Sequence, residues 1–198
     1  MSADGPPRRT LRPTGPEGAP SVFAADEQSG RDVDVAALAR LAESVLVDEG
    51  VRGDSELSLR FVDEPTIADL NERFLGGSGP TDVLAFPIDG GEVVEGGRFP
   101  DAGSSGPDRP PTEATEVPLL LGDVLVCPVV AERNAPAHAG TYEDELALLV
   151  VHGVLHVLGH DHAEDGERTV MRTRELALLE AHHWHGPAPA AFRQEQGD

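Results

Sequence analysis

Three histidines late in the chain carry its clearest chemistry. In His152-Gly153-Val154-Leu155-His156-Val157-Leu158-Gly159-His160-Asp161-His162, the first two are four residues apart and the last follows six residues later. Residues at i and i+4 share one face of an α-helix, so two imidazoles placed this way can grip one metal ion. Gly159 can take the left-handed conformation that ends a helix, after which the chain turns back and His162 can supply a third nitrogen. Three protein ligands leave one corner of a zinc tetrahedron open, the arrangement of a catalytic site rather than a structural one. The expected metal ligands are therefore His152, His156 and His162, holding one zinc ion per chain. His160, two residues from His162, competes for the third position.

The zinc peptidases read His-Glu-x-x-His, with x-x-Gly-x-x-His added in the long version. This chain keeps the histidine and glycine spacing, but Gly153 stands where the peptidases have the glutamate that serves as general base. That substitution argues against peptide hydrolysis by the same route. A metal here would still lower the pKa of a bound water to about 7 and polarise a phosphoryl oxygen. Phosphodiester cleavage fits the residues better than proteolysis, although no residue can be named as the catalytic base.

The same segment resembles the motif of the YbeY family, His-Gly-x-Leu-His-x-x-Gly-Tyr-Asp-His, through His152, Gly153, Leu155, His156, Gly159, Asp161 and His162, with His160 in place of the tyrosine. Leu70-Asn71-Glu72-Arg73-Phe74, Pro80-Thr81-Asp82-Val83-Leu84-Ala85-Phe86-Pro87 and Leu121-Gly122-Asp123-Val124 are further matches in the family's order, and the likeness spans roughly Val33 to Glu180. The resemblance implies a zincin-like layout and a zinc-dependent, single-strand-specific endoribonuclease that acts in 16S ribosomal RNA 3′ end maturation and ribosome quality control. Its implied partners are a single-stranded ribosomal RNA precursor and the small ribosomal subunit or its proteins. Many members carry an arginine directly after the aromatic of the Asn-x-x-aromatic stretch, facing the substrate; this chain has Leu75 there. Arg73 is the candidate substrate-binding residue in its stead, provided the helix ends near Gly76-Gly77, since two residues apart on a helix means different faces. An ordinary exposed arginine is the competing reading.

The elements that must position these groups follow from hydrophobic periodicity. Thr141 caps a helix with Glu143, Asp144 and Glu145 in its first turn, matching the helix dipole, and Leu146, Leu149 and Val150 bury it on the way to the histidines. Asp34 caps an earlier helix to about Asp48, with Val35, Leu38, Leu41, Ala42 and Val45 on one stripe. Pro65 opens another helix whose apolar face is Ile67, Leu70 and Phe74. A short helix runs from Pro128 to Arg133, and a last one from Asp165 to about His183 with Val170, Met171, Leu176 and Leu179 inward. Strands are expected at residues 21–25, 56–63, 81–87 and 119–127. The fold class is α+β: a small mixed sheet of about four strands covered by helices.

Domain organisation is read as a disordered N-terminal tail (1–20), one hydrolase domain (21–185) containing a flexible insertion (89–115), and a loose Pro- and Ala-rich C-terminal tail (186–198). The lone cysteine, Cys127, excludes an internal disulfide and suits a reducing cytoplasm. No apolar run is long enough to cross a membrane, and the N-terminal stretch lacks the apolar core of a secretory signal. Net charge is −21 and every basic residue is arginine. Such a balance repels a polyanion at long range, so positive potential must be local or a docking partner must supply the binding.

Other residues carry two readings each. Asp161 can hydrogen-bond a ligand histidine from behind or cap a turn, and Asp123 within an apolar strand needs a partner if buried, a histidine among the options. Thr81 and Asp82 suit a turn-to-strand junction more than a ligand-orienting role, and His182, His183 and His185 around Trp184 suit a helix end. Two functions compete with the nuclease: a peptidase or amidase on the same scaffold, and a non-enzymatic ribosome assembly factor with a structural metal.

Overall fold

The computed structural model describes residues 9–11, 18–88, 118–160 and 165–194. One mixed sheet forms the frame, from β1 (Arg9–Leu11), β2 (Ser21–Asp26), β3 (Ser55–Phe61), β4 (Val83–Pro87) and β5 (Leu119–Val126). Spatial order is β1-β2-β3-β5-β4, with β2, β3 and β5 parallel and the two outer strands antiparallel to their neighbours. The sheet is thus of the expected α+β kind. Its extra strand is the three-residue β1, which lies inside the stretch expected to be a disordered tail.

Helices α1 (Val35–Asp48), α4 (Tyr142–Val157) and α5 (Asp165–His182) belong to the main core on one face. Alternation places Leu57, Leu59 and Phe61 of β3 and Val124 and Val126 of β5 toward this core, all fully buried. Helices α2 (Glu64–Leu70) and α3 (Pro128–Asn134) contribute Ile67 and Val130 to a smaller core with Leu84, Leu125 and Cys127. Caps fix where the helices start. Asp34 accepts from Ala37 N–H at 2.9 Å, Asp63 from Thr66 N–H at 3.0 Å, and Thr141 from Asp144 N–H at 3.1 Å. Each such cap stabilises its helix by about 1 kcal/mol.

Two apolar stripes differ from expectation. After Leu70 the chain widens into a π-helical turn, Asn71–Leu75, which ends at a left-handed Gly76. A turn closed by i→i+5 bonds rotates the following side chains off the α-helical stripe, so Phe74 is 60% exposed and meets the Phe86 ring edge-to-face. On α5 the buried side is Met171, Glu175, Leu178 and Leu179, while Val170 faces solvent. The C-terminal stretch expected to be loose is docked as far as Gln194. Phe192 packs edge-on against Trp184, and Arg193 N–H donates to the His138 carbonyl at 2.7 Å. The insertion expected at 89–115 lies outside the described residues.

Candidate metal centre

Helix α4 packs against β4 and β5 of the sheet and against α1 and α5, and its last two turns carry the histidine pair. Gly153 lets it approach the sheet: a Cβ at this position would lie 2.5 Å from Val124 Cγ1 of β5. The helix ends in a Schellman motif. Gly159 has φ of +89°, its N–H donates to His156 O, and His160 N–H donates to Leu155 O, both at 3.0 Å. The glycine therefore ends the helix as its position in the motif implied.

His152 and His156 bring their Nε2 atoms to 3.1 Å, with ring centroids 4.5 Å apart. Two nitrogens each about 2.0–2.1 Å from one zinc ion in tetrahedral geometry lie about 3.3 Å apart. The pair's donor chemistry and spacing thus fit a shared metal ion. His152 is held from behind: its Nδ1 lies 2.7 Å from Oε1 of Glu175, whose side chain is almost fully buried. Asp161 and His162 lie outside the described residues, and no cluster of three or more His, Cys, Asp or Glu side chains poised for a metal occurs among the described ones. His160, the competitor for the third position, has its Nε2 engaged by Glu49 at 3.0 Å, and Arg174 clamps the other oxygen of that carboxylate.

The pair opens into a cleft of about 530 Å³ lined by Leu75, Val83, Leu84, Ala85, Pro87, His152, Gly153, His156, Gly159 and His160. Its described walls hold neither a carboxylate nor an arginine. Leu75, delivered by the π-helical turn, lines it; Arg73 does not. The Arg73 guanidinium instead pairs with Asp69 at 3.1 Å and lies over the Phe74 ring, so the helix turn carries it away from the site. Asp123 is likewise misplaced for a role behind the histidines. Its neighbour Val124 faces α4, so Asp123 points to the opposite side of the sheet. Asp82 bonds Asn134 Nδ2 at 3.0 Å and Thr81 Oγ1 at 3.3 Å, a junction between β4 and α3.

A larger groove of about 970 Å³ runs along α1 and the end of α5. Its three histidines are tied into the fold, His182 to Asp48 and His183 to Asp144, both at 2.8 Å, and His185 to the Ala181 carbonyl at 3.0 Å, so the groove contains none of the paired-ring chemistry. Sequence reasoning missed Glu175 and Gln194. A signal for Glu175 existed, since a carboxylate on the apolar stripe between Met171 and Leu178 must have a partner. For Gln194, in a Pro- and Ala-rich stretch, there was none.

Fold and cleft define an α+β protein of the paired-histidine helix class, backed by a mixed sheet. Comparison with known proteins narrows this. Residues 23–183 match the family model described as Endoribonuclease YbeY. Relatives of that name include the Salinispora tropica protein, 44% identical over 153 residues, which are 77% of this chain and 90% of that protein. The Mycobacterium tuberculosis H37Rv protein is 39% identical over 178 residues, 90% of this chain and 91% of that one. A Thermotoga maritima protein solved in solution superposes with a TM-score of 0.50 at 25% identity, over 90% of this chain and 99% of that chain. The chain belongs to the YbeY endoribonuclease family.

Proposed function

We propose that this protein is a zinc-dependent, single-strand-specific endoribonuclease acting in 16S ribosomal RNA 3′ end maturation and ribosome quality control in the cytoplasm. The observation that carries the reading is the His152–His156 pair, with its Nε2 atoms 3.1 Å apart at the mouth of a cleft in a chain of this family. In this account His152, His156 and His162 hold the ion, which supplies Lewis acidity toward a phosphodiester and acidifies water. The protein's own groups do the rest. Leu75, Val83, Ala85 and Pro87 give the cleft apolar walls against which unpaired nucleotides can lie, and its volume suits a few such groups rather than a duplex. Among the described helices none is long and apolar enough to cross a membrane.

Two features bear on the competing functions. The close approach of Val124 leaves no room for a glutamate at Gly153, which speaks against the peptidase base on this frame. The net charge of −21 and the leucine at position 75 favour recruitment by a docking partner, because the chain offers little general attraction for RNA. The small ribosomal subunit is the partner the family reading supplies.

The test is cleavage by the purified full chain with zinc restored. Single-stranded RNA is cut, a matched duplex is spared, and His156→Ala abolishes the activity. Cleavage surviving in that variant would expose a contaminating nuclease. Rescue of unprocessed 16S ends in depleted cells by an inactive variant would favour an assembly factor instead.

A further inference from the structure

The chemistry behind His152 is as specific as that in front of it. Glu175 accepts from His152 Nδ1 at 2.7 Å through Oε1, and its other oxygen accepts from Gln194 Nε2 at 3.0 Å. The same Gln194 nitrogen donates to the Arg172 carbonyl at 2.9 Å, which fixes which way round the amide sits. From these contacts we infer that Glu175, oriented by Gln194, is the positioning residue that sets the tautomer of His152. A carboxylate can only accept, so His152 carries its proton on Nδ1 and presents a bare Nε2 lone pair toward His156. The docked C-terminal segment thereby becomes part of the site, because its last described residue closes the chain Gln194–Glu175–His152.

Acceptor geometry makes the idea testable with small changes. In Glu175→Gln one carboxylate oxygen becomes an NH2 group. If the remaining oxygen faces His152, the new NH2 opposes the Gln194 NH2, donor against donor. If it faces Gln194, the new NH2 donates to Nδ1 and drives the ring proton onto Nε2, the atom that must be bare. Gln194→Ala removes that conflict, so the double variant lets the amide oxygen turn back to His152.

The inference rests on the proposed zinc reading only for its consequence, not for the tautomer. The experiment is long-range 1H–15N correlation on the chelator-treated full chain, which reads the tautomer of His152 directly. It is paired with zinc affinity by chelator competition. Wild type shows the Nδ1–H form of His152, Glu175→Gln moves it toward Nε2–H, and the double variant moves it back. Zinc affinity falls about 10–100-fold in Glu175→Gln, as for other partners behind a metal ligand, and recovers in the double variant. An unchanged tautomer in Glu175→Gln, or equal affinity losses in the single and double variants with a lowered melting temperature, would overturn the inference and leave Glu175 a packing residue. Tautomer switching in a chain that takes up no zinc would sustain the positioning role while removing the zinc reading.

Discussion

Gly153→Ala separates a packing requirement from helix propensity. On an unobstructed helix, replacing glycine by alanine gains about 1 kcal/mol. Here the new methyl would sit 2.5 Å from Val124 Cγ1, where carbon atoms prefer about 3.5–4.0 Å, so roughly 1 Å must be found. Valine is stiff at χ1, and rotation gives no relief because Val124 Cγ2 and Val83 Cγ2 already stand at 3.3 and 3.4 Å. Overpacking of this kind costs about 1–3 kcal/mol. With the contact made by a branched side chain on a central strand, the upper half of that range applies. The net is a loss of about 1–2 kcal/mol. Urea unfolding should show a lower midpoint at unchanged slope. Because α4 is pushed off β5, RNA cleavage should fall as well. Adding Val124→Ala should make Gly153→Ala favourable, with a coupling of about 1–2 kcal/mol in the double-mutant cycle. A Gly153→Ala variant more stable than wild type would refute the close-approach argument, and with it the reason offered for the absence of the peptidase glutamate.

Other expectations follow from the same contacts. Burial alone would raise the Asp144 carboxyl, but hydrogen bonds from Trp184, Thr141 and His183 outweigh it and hold the group below its ordinary value. A carboxyl lowered by folding adds stability above its unfolded pKa and loses it as pH falls through the folded one. Melting temperature should therefore drop below about pH 4 in wild type, and Asp144→Asn should be less stable at neutral pH with a flatter acid limb. Burial is also the main cause that pushes the Cys127 thiol up, so it should react with a disulfide reagent at about pH 8 only at the rate of unfolding. Leu75→Arg should tighten single-stranded RNA binding and steepen its salt dependence by about 0.7 per added phosphate contact, since this side chain lines the cleft. Arg73→Ala should leave cleavage within about twofold, its partner being an exposed Asp69 across one helix turn.

Most of the frame was legible because periodicity and capping agree in this chain. Asp34 and Thr141 each cap where an apolar stripe begins, and Leu57, Leu59 and Phe61 alternate inward as a half-buried strand must. The paired rings were legible for the same reason, since i and i+4 on a helix that ends at Gly159 leaves little freedom. Strand order was not, because β5 inserts between β3 and β4 through pairings remote in sequence. Phe74 was misjudged because a π-helical turn breaks the 3.6-residue period at Asn71 without a proline or glycine to announce it, whereas Arg73 is exposed and paired with Asp69, in keeping with the ordinary-arginine reading. Asp123 was misjudged because an apolar strand shows no polar face from which to read its direction. The docked tail escaped notice since Phe192 and Gln194 act through single tertiary contacts, which leave no pattern.

The most direct test of the account is zinc content by elemental analysis of the full chain refolded with zinc available. The account predicts about one ion per chain in wild type and in His160→Ala, and near none in His152→Ala, His156→Ala or His162→Ala, following the three-ligand rule for open zinc sites. A wild type that emerges without zinc, or a His156→Ala variant that retains it, would contradict the account.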